Sequence, residues 1–207
     1  IASPHSTHTE YAVKCLEANK DVYIEKPLST SFSQFANLVA AQKKSNRVLY
    51  TGFNRPHSPI LSKLRSYYKN NTSPFICNII VYGHFLPSGH WYRNEGEGSR
   101  IAGNCTHWID LAIHMFSWSE IQFPLCISIH QHDTSFDDEN LTLNLKCNES
   151  SVSITFCALH EPLKGVTEYI HFHSRSFTAF IDNFKSIRFD IGASCFSKHL
   201  LYINAGH

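Results

Sequence analysis

The sequence lacks most of the features that would place it in a specialised class. No run of apolar residues approaches the eighteen needed to cross a bilayer. The first ten residues have neither a charged n-region nor an apolar h-region, so no signal peptide is read there. No C-x-x-C pair occurs among the seven cysteines, whose number is odd and whose spacing is irregular. That pattern excludes a disulfide framework and a zinc ribbon, and it fits reduced thiols in the cytoplasm. Charged residues make up 17% of the chain at a net charge of +1, with no basic block dense enough for a nucleic-acid groove. Neither internal repeats nor low-complexity segments are found. No nucleic-acid partner and no membrane contact are therefore expected. The N-x-[ST] sequons at Asn71, Asn104, Asn140 and Asn148 read as chance matches in the absence of a secretory signal.

What is present is a chain of 207 residues, 43% hydrophobic, with strong local patterning and a sizeable core to bury. Ile1 and Ala2 look like the tail of a strand. Thr7-x-x-Glu10 has the form of a capping box and predicts a helix start. Tyr11, Ala12, Cys15, Leu16 and Ala18 follow it as an apolar stripe, ended by Asn19 and Lys20. Val22–Ile24 and Val48–Tyr50 are short strand signals on either side of a helix from Ser31 to Lys44, with Phe32, Phe35, Leu38, Val39 and Ala41 inward. Alternation of this kind predicts βαβ units and a parallel sheet.

The pattern then changes. Gly, Asn and two prolines cluster over Gly52–Pro59, and the domain boundary is placed there. Pro59–Tyr68 reads as a connecting helix. Phe75–Phe85, Leu141–Cys147, Val152–Phe156, Tyr169–Phe172 and Phe177–Ile181 are strand candidates, and Leu141–Cys147 alternates strictly. One helix, from about Ile101 to Phe116, interrupts them. A mostly antiparallel sheet with one packed face follows. The expected fold is α/β followed by α+β: residues 1–55 as the C-terminal part of a Rossmann-like nucleotide-binding domain, and 56–207 as an incomplete substrate-binding domain with helices on one face of its sheet.

Two constellations carry chemistry. Glu25-Lys26-Pro27 falls at the carboxyl end of a predicted parallel strand, where open α/β sheets bind ligands. A lysine there can hold a substrate hydroxyl and ease its proton loss. The alternative is a surface lysine in an ordinary strand-to-helix turn. In the second segment, Asn104, His107 and Asp110 stand three apart and share a face if helical. His107 has the chemistry of a general base near neutral pH, with Asp110 to orient its ring and Asn104 to hold a hydroxyl. A core histidine satisfied by Asp110 is the other reading. His84 with His90, and His5 with His8, lack a cysteine or carboxylate partner at ligand spacing, so no metal site is expected.

Taken in order, these segments resemble the glucose-fructose oxidoreductase / inositol dehydrogenase / MocA family. Ser3-Pro4-His5-Ser6-Thr7-His8 is similar to the family's T-P-x-x-x-H segment beside the nicotinamide ribose. Glu25-Lys26-Pro27 matches its E-K-P motif, and Gly52-Phe53-Asn54-Arg55 its G-F-N-R stretch. His90-Trp91, Arg100-Ile101-Ala102-Gly103 and His107-Trp108-Ile109-Asp110-Leu111 resemble a subgroup reading H-W … G-G-R-I-x-G-E-x-C-H-F-I-D-L, and Asp182-Asn183-Phe184 resembles a later D-D-F.

The resemblance implies hydride transfer between a hydroxyl-bearing carbon of a sugar, polyol or sugar derivative and NAD or NADP. It implies Lys26 and His107 as the catalytic pair. Pro4, His5, His8, Glu25, Lys26, Pro27, Asn54 and Arg55 would line the cofactor, and Trp91, Arg100, Asn104 and Asp110 the substrate. Arg100 suits an anionic group or, equally, a structural ion pair. A homo-oligomer formed through the sheet face is expected of the full-length protein.

Three departures stand out. Gly103 occupies the position four before the histidine where the family usually has Asp, and Asn104 replaces the subgroup's Glu. The G-x-G-x-x-G fingerprint of dinucleotide binding does not occur in these 207 residues. The pattern also fades after about Arg188, and the chain stops soon after Ile203. A fragment of a longer oxidoreductase, inactive by itself, is the expectation. A non-catalytic sugar-binding or regulatory protein of the same fold is the alternative.

Overall fold

A computed structural model describes residues 1–69, 73–118, 125–132, 139–159, 165–192 and 194–199. The sequon at Asn71 and the tail from Ile203 to His207 lie outside the described residues. The chain divides into two units, 1–53 with 86–107, and 54–85 with 108–207. The chain passes from one unit to the other between Phe53 and Asn54, inside the Gly- and Pro-rich cluster. Segment 86–107, which the sequence alone assigned to the second domain, packs with the first unit.

In the first unit, α1 (His5–Glu17), β1 (Val22–Ile24), α2 (Phe32–Ser45) and β2 (Leu49–Thr51) follow one another, and β1 pairs β2 in parallel. Ile1 extends the ladder on the other side of β1. Its amino group donates to Tyr23 O at 2.6 Å, and its carbonyl accepts from Glu25 N at 2.9 Å. Ala12, Leu16, Val22, Ile24 and Leu38 form the buried core, with Leu28, Ala41 and Leu49 packed against it.

The capping-box expectation is corrected here. α1 starts two residues earlier, at His5, with Pro4 at its N-cap and no hydrogen bond from the N-cap side chain itself. Thr7 lies within the first turn, and its hydroxyl donates to Pro4 O at 2.8 Å. Pro4 takes an extended conformation, φ −55° and ψ 144°, which suits an N-cap and which its ring permits. The stripe on α2 is also narrower than its composition suggested. Leu38 is buried, whereas Phe32 is 85% and Phe35 43% exposed. Tyr11 and Ala18 on α1 are likewise exposed.

The second unit holds α3 (Pro59–Tyr68), β3 (Phe75–Tyr82), most of α4 (Thr106–Ser117), β4 (Cys126–Gln131), β5 (Leu141–Cys147), β6 (Ser150–Cys157), β7 (Thr167–Ser174), β8 (Thr178–Asp182), β9 (Ser186–Ile191) and β10 (Ser194–His199). The strands make one sheet in the order β10-β9-β8-β7-β3-β6-β5-β4. Every neighbouring pair is antiparallel except β3–β6.

Strict alternation on β3 buries Phe75, Cys77, Ile79 and Val81. On that face α3 contributes Ile60, Leu61, Leu64 and Tyr68, and α4 contributes Leu111, Ala112, Met115 and Phe116. Tyr68 meets Phe172 edge-on at 5.4 Å, and Phe75 meets Phe116 at 5.6 Å. Burial of each such aromatic stabilises the fold by about 1.5–3 kcal/mol. Ile76, Ile80 and Tyr82 point to the opposite face and stay exposed. The sheet is thus covered by helices on one face within this unit, and the fold class is α/β followed by α+β, the latter built on a large, mostly antiparallel sheet.

Candidate active site in the first unit

The site is built around the carboxyl end of β1. Glu25 and Lys26 leave the strand there, and the Lys26–Pro27 bond is cis. Gly52, just after β2, sits close to this turn. A Cβ at Gly52 would lie 3.0 Å from the Glu25 carboxylate and 2.9 Å from Tyr23 Oη, so a side chain there would push on the turn. That close approach accounts for glycine at the head of the Gly52-Phe53-Asn54-Arg55 stretch.

Lys26 is half-buried and held by the returning segment 86–107. Its Nζ donates to Gly103 O at 2.8 Å and stands 3.5 Å from Tyr92 Oη. Asn104 completes the group. With its amide oriented so that both ends meet partners, Asn104 Oδ1 accepts from Arg100 Nε at 3.2 Å and Nδ2 donates to Gly103 O at 3.1 Å. Arg100 is buried. Its guanidinium therefore helps to position the segment that grips Lys26.

Residues Ile101–Cys105 form a π-helical turn, and α4 takes over at Thr106. Asn104 therefore lies on the π turn, whereas His107 and Asp110, three apart, both lie on α4. Single π turns inside helices recur at functional sites. His107 is buried, with its ring edge-on to Phe53 at 5.7 Å.

The N-terminus of α1 closes the other side of the site. His5 is buried, bonded through Nδ1 to Glu97 O at 3.0 Å, and packed on Trp91 and Tyr92 at 4.7 and 4.9 Å. Burial is the main cause that lowers the His5 pKa below that of a free imidazole, with Lys26 adding to it. Glu97 places its carboxylate on the start of α1, accepting from Ser6 N at 3.2 Å and Ser6 Oγ at 2.6 Å. The Ser6 hydroxyl is the main cause that holds Glu97 below the ordinary carboxylate range. Glu97 was not singled out from the sequence. Its neighbour in sequence, Gly96, gives no hint that the carboxylate caps a helix more than ninety residues away.

His8 is buried with its Nδ1 on Pro27 O at 2.8 Å and its Nε2 on Ser3 O at 2.9 Å. It ties α1 to the turn after Lys26, a structural bond. Pro4 is exposed at the helix start, Trp91 is partly exposed, and Pro27 is buried.

The remaining expected residues belong to the second unit. Arg55 is buried against Glu168, with Nη2 to Oε1 at 2.6 Å, and lies over the Trp108 ring. Asn54 accepts from Arg55 Nη1 at 2.9 Å. Burial raises the Asp110 carboxyl, partly offset by His114, whose Nε2 is 3.8 Å away. Among the described residues no three His, Cys, Asp or Glu are grouped to hold a metal. No helix among them is long and apolar enough to cross a membrane.

The first unit thus combines a parallel β1–β2 pair with a lysine at its carboxyl edge, and the second unit is built on a broad sheet. That fold is the fold of dehydrogenases. The putative oxidoreductase from Thermotoga maritima superposes with a TM-score of 0.78 over 97% of this chain and 64% of that one, at 16% identity. The inositol dehydrogenase homolog from Azotobacter vinelandii, solved with NADH and myo-inositol, superposes with the same TM-score of 0.78 over 95% of this chain and 54% of that one, at 14% identity.

Residues 1–53 match the model of the oxidoreductase family with an NAD-binding Rossmann fold, GFO_IDH_MocA. Myo-inositol 2-dehydrogenase from Thermotoga maritima is 35% identical over 118 residues, which is 56% of this chain and 33% of that protein. The uncharacterized oxidoreductase YrbE of Bacillus subtilis is 33% identical over 118 residues, 56% of this chain and 32% of that protein. Over its first 53 residues the chain matches the Gfo/Idh/MocA oxidoreductase family, and over 118 residues it is similar to these relatives. It spans about a third of the length of these two curated relatives.

Proposed function

We propose that this chain carries the lysine and histidine of an NAD(P)-dependent oxidoreductase acting on a hydroxyl-bearing carbon of a sugar, polyol or sugar derivative. The observation that carries the reading is the hold on Lys26. Its ammonium stands at the carboxyl edge of a parallel strand pair, against Gly103 O and beside Tyr92, on the segment that leads directly to His107. That edge is where open α/β sheets take their ligands. Pro4, His5, Glu25 and Lys26 would hold the nicotinamide end of the cofactor. A bound nicotinamide supplies the hydride acceptor. In this reading His107 takes the proton of the reacting hydroxyl, and the Lys26 ammonium stabilises the oxygen as negative charge builds on it. Asn104 and Trp91 would face the substrate.

A second reading, a sugar-binding or regulatory protein of the same fold, is favoured by one observation. Gly103 itself supplies no carboxylate, and the space beside it is closed by Tyr92 and His5.

The affinity of such folds for a dinucleotide rests on a glycine-rich turn that sets the pyrophosphate on a helix N-terminus. These 207 residues contain no such turn. The 207-residue chain alone is therefore expected to show no turnover and no saturable quenching with NADH or NADPH at micromolar concentrations. Fluorescence titration checks this, and micromolar half-saturation would overturn it.

The open face of the sheet carries Ile76, Ile80 and Tyr82 in exposed positions on its central strand. Exposed apolar residues gathered on one face mark an interface. Pairing of two copies through this face is expected, with a dimer mass in light scattering at micromolar concentration. A monomer under those conditions would contradict the assignment.

A further inference from the structure

We infer that Tyr92 positions the catalytic lysine in this protein, in the space that a glycine at position 103 leaves open. The inference rests on the reading of Lys26 as the functional amine.

Position 103 is closed to any side chain larger than hydrogen. A Cβ there would lie 2.9 Å from Tyr92 Cε2 and 3.1 Å from His5 Cε1. Carbon atoms do not approach so closely, so an aspartate at 103 and the Tyr92 ring exclude each other as they stand. The glycine therefore does more than remove a carboxylate. It admits an aromatic ring to the face of the π-helical turn, and that ring carries a hydroxyl to Lys26.

The ring is fixed from several sides. Tyr92 meets Trp91 edge-on at 4.3 Å, His90 edge-on at 5.1 Å and His5 at 4.9 Å. His90 anchors the short helical turn Trp91–Arg93 by accepting from Tyr92 N at 3.2 Å. The hydroxyl oxygen then stands 3.5 Å from Lys26 Nζ. The Asn104 amide lies 3.4 Å from the same oxygen. The Lys26 ammonium has only hydrogens to give, so the phenolic oxygen is the acceptor in its contact with Nζ. An acceptor on the ammonium favours the charged lysine, the role that a carboxylate at position 103 would fill by charge. Burial of Tyr92 raises its own pKa, which keeps the hydroxyl neutral beside the ammonium.

The test reads the protonation of Lys26 without requiring turnover. Lys26 is acylated with acetic anhydride across a pH series in the 207-residue chain, and the extent is read by peptide mass spectrometry. Acylation needs the neutral amine. Tyr92→Phe keeps the ring and removes only the hydroxyl, so it should let Lys26 lose its proton at lower pH. At a fixed pH below the midpoint, labelling should rise roughly two- to tenfold, the range of one net hydrogen bond. Gly103→Ala should displace the ring and raise labelling in the same direction. The double variant should match Tyr92→Phe, because the glycine acts through the tyrosine.

Circular dichroism checks that each variant is folded. Tyr92→Phe alone, which creates no clash, decides the question if Gly103→Ala fails to fold. An unchanged Lys26 profile in folded Tyr92→Phe would overturn the inference. A changed profile together with full turnover of Lys26→Ala in a cofactor-competent form would keep the contact but remove Lys26 from catalysis, so the two failures are distinguishable.

Discussion

Lys26→Ala is expected to lower turnover by roughly two to four orders of magnitude, the usual contribution of a positioned proton-transfer or charge-stabilising group, with a far smaller change in KM. The measurement needs a form of the protein that carries a glycine-rich dinucleotide turn, with steady-state rates on a polyol and NAD or NADP. The physical basis is the site geometry. Lys26 Nζ is fixed by Gly103 O at 2.8 Å, so its charge is in place before substrate arrives. An interaction that strengthens as charge builds on the reacting oxygen appears in kcat rather than in KM. Lys26→Arg should recover little. The guanidinium is planar, larger and permanently charged, and it cannot occupy the position of a compact ammonium between a carbonyl and a phenol. Unchanged turnover in Lys26→Ala would make the lysine a structural contact and leave the binding-protein reading standing.

Arg55→Ala is expected to destabilise the second unit by about 3–5 kcal/mol, the cost of leaving a buried charge without its partner. The Glu168 carboxylate is buried and accepts from Arg55 Nη2 at 2.6 Å, Arg55 Nε at 3.4 Å and Trp108 Nε1 at 2.9 Å. Removing the guanidinium leaves the indole N–H against a carboxylate with little access to water. Urea unfolding should show a lower midpoint with an unchanged slope. Replacing both partners, as in Arg55→Met with Glu168→Leu, should recover most of the loss, because an apolar pair of similar volume avoids the desolvation of two charges. A single variant within about 0.5 kcal/mol of the parent, the usual range for surface substitutions, would show that the pair contributes little. The same geometry changes the meaning of Arg55. In the sequence it stands in a stretch that resembles cofactor-side residues. In the fold its guanidinium is committed to Glu168, and its role in stability is the one the structure supports.

Local patterning was readable for a physical reason. Side chains alternate across a strand and recur every 3.6 residues on a helix, so Pro59–Tyr68 and Leu141–Cys147 declare themselves without reference to anything distant. Both match the observed α3 and β5. β4, β9 and β10 were missed. Every residue of β4 is exposed, and β4 and β10 lie at the two ends of the described sheet. Short alternation is present in β4, at Ile127 and Ile129, and in β9, at Ile187 and Phe189, but runs of this length do not by themselves separate a strand from a loop. The misplaced start of α1 and the exposed Phe32 and Phe35 have a related cause. Composition says which residues suit a helix interior or a cap. It does not say which neighbour supplies the amide partners or covers the ring.

The sequence by itself determined the ordered motifs: the turn at Glu25-Lys26-Pro27, the glycine after β2, and a histidine near the start of a long helix. It also determined the change from βαβ patterning to an antiparallel sheet, because each of these is written within a few consecutive residues. Tertiary structure alone decided that segment 86–107 returns to the first unit. It also decided that Tyr92, 66 positions away, reaches Lys26, and that Glu97, 91 positions away, caps α1 at Ser6. Contacts at such separations depend on how whole elements pack, and periodicity records only the direction in which each element turns its side chains. Gly103 shows the difference at one residue. In the sequence it is a missing carboxylate, and in the fold it is the space that Tyr92 fills.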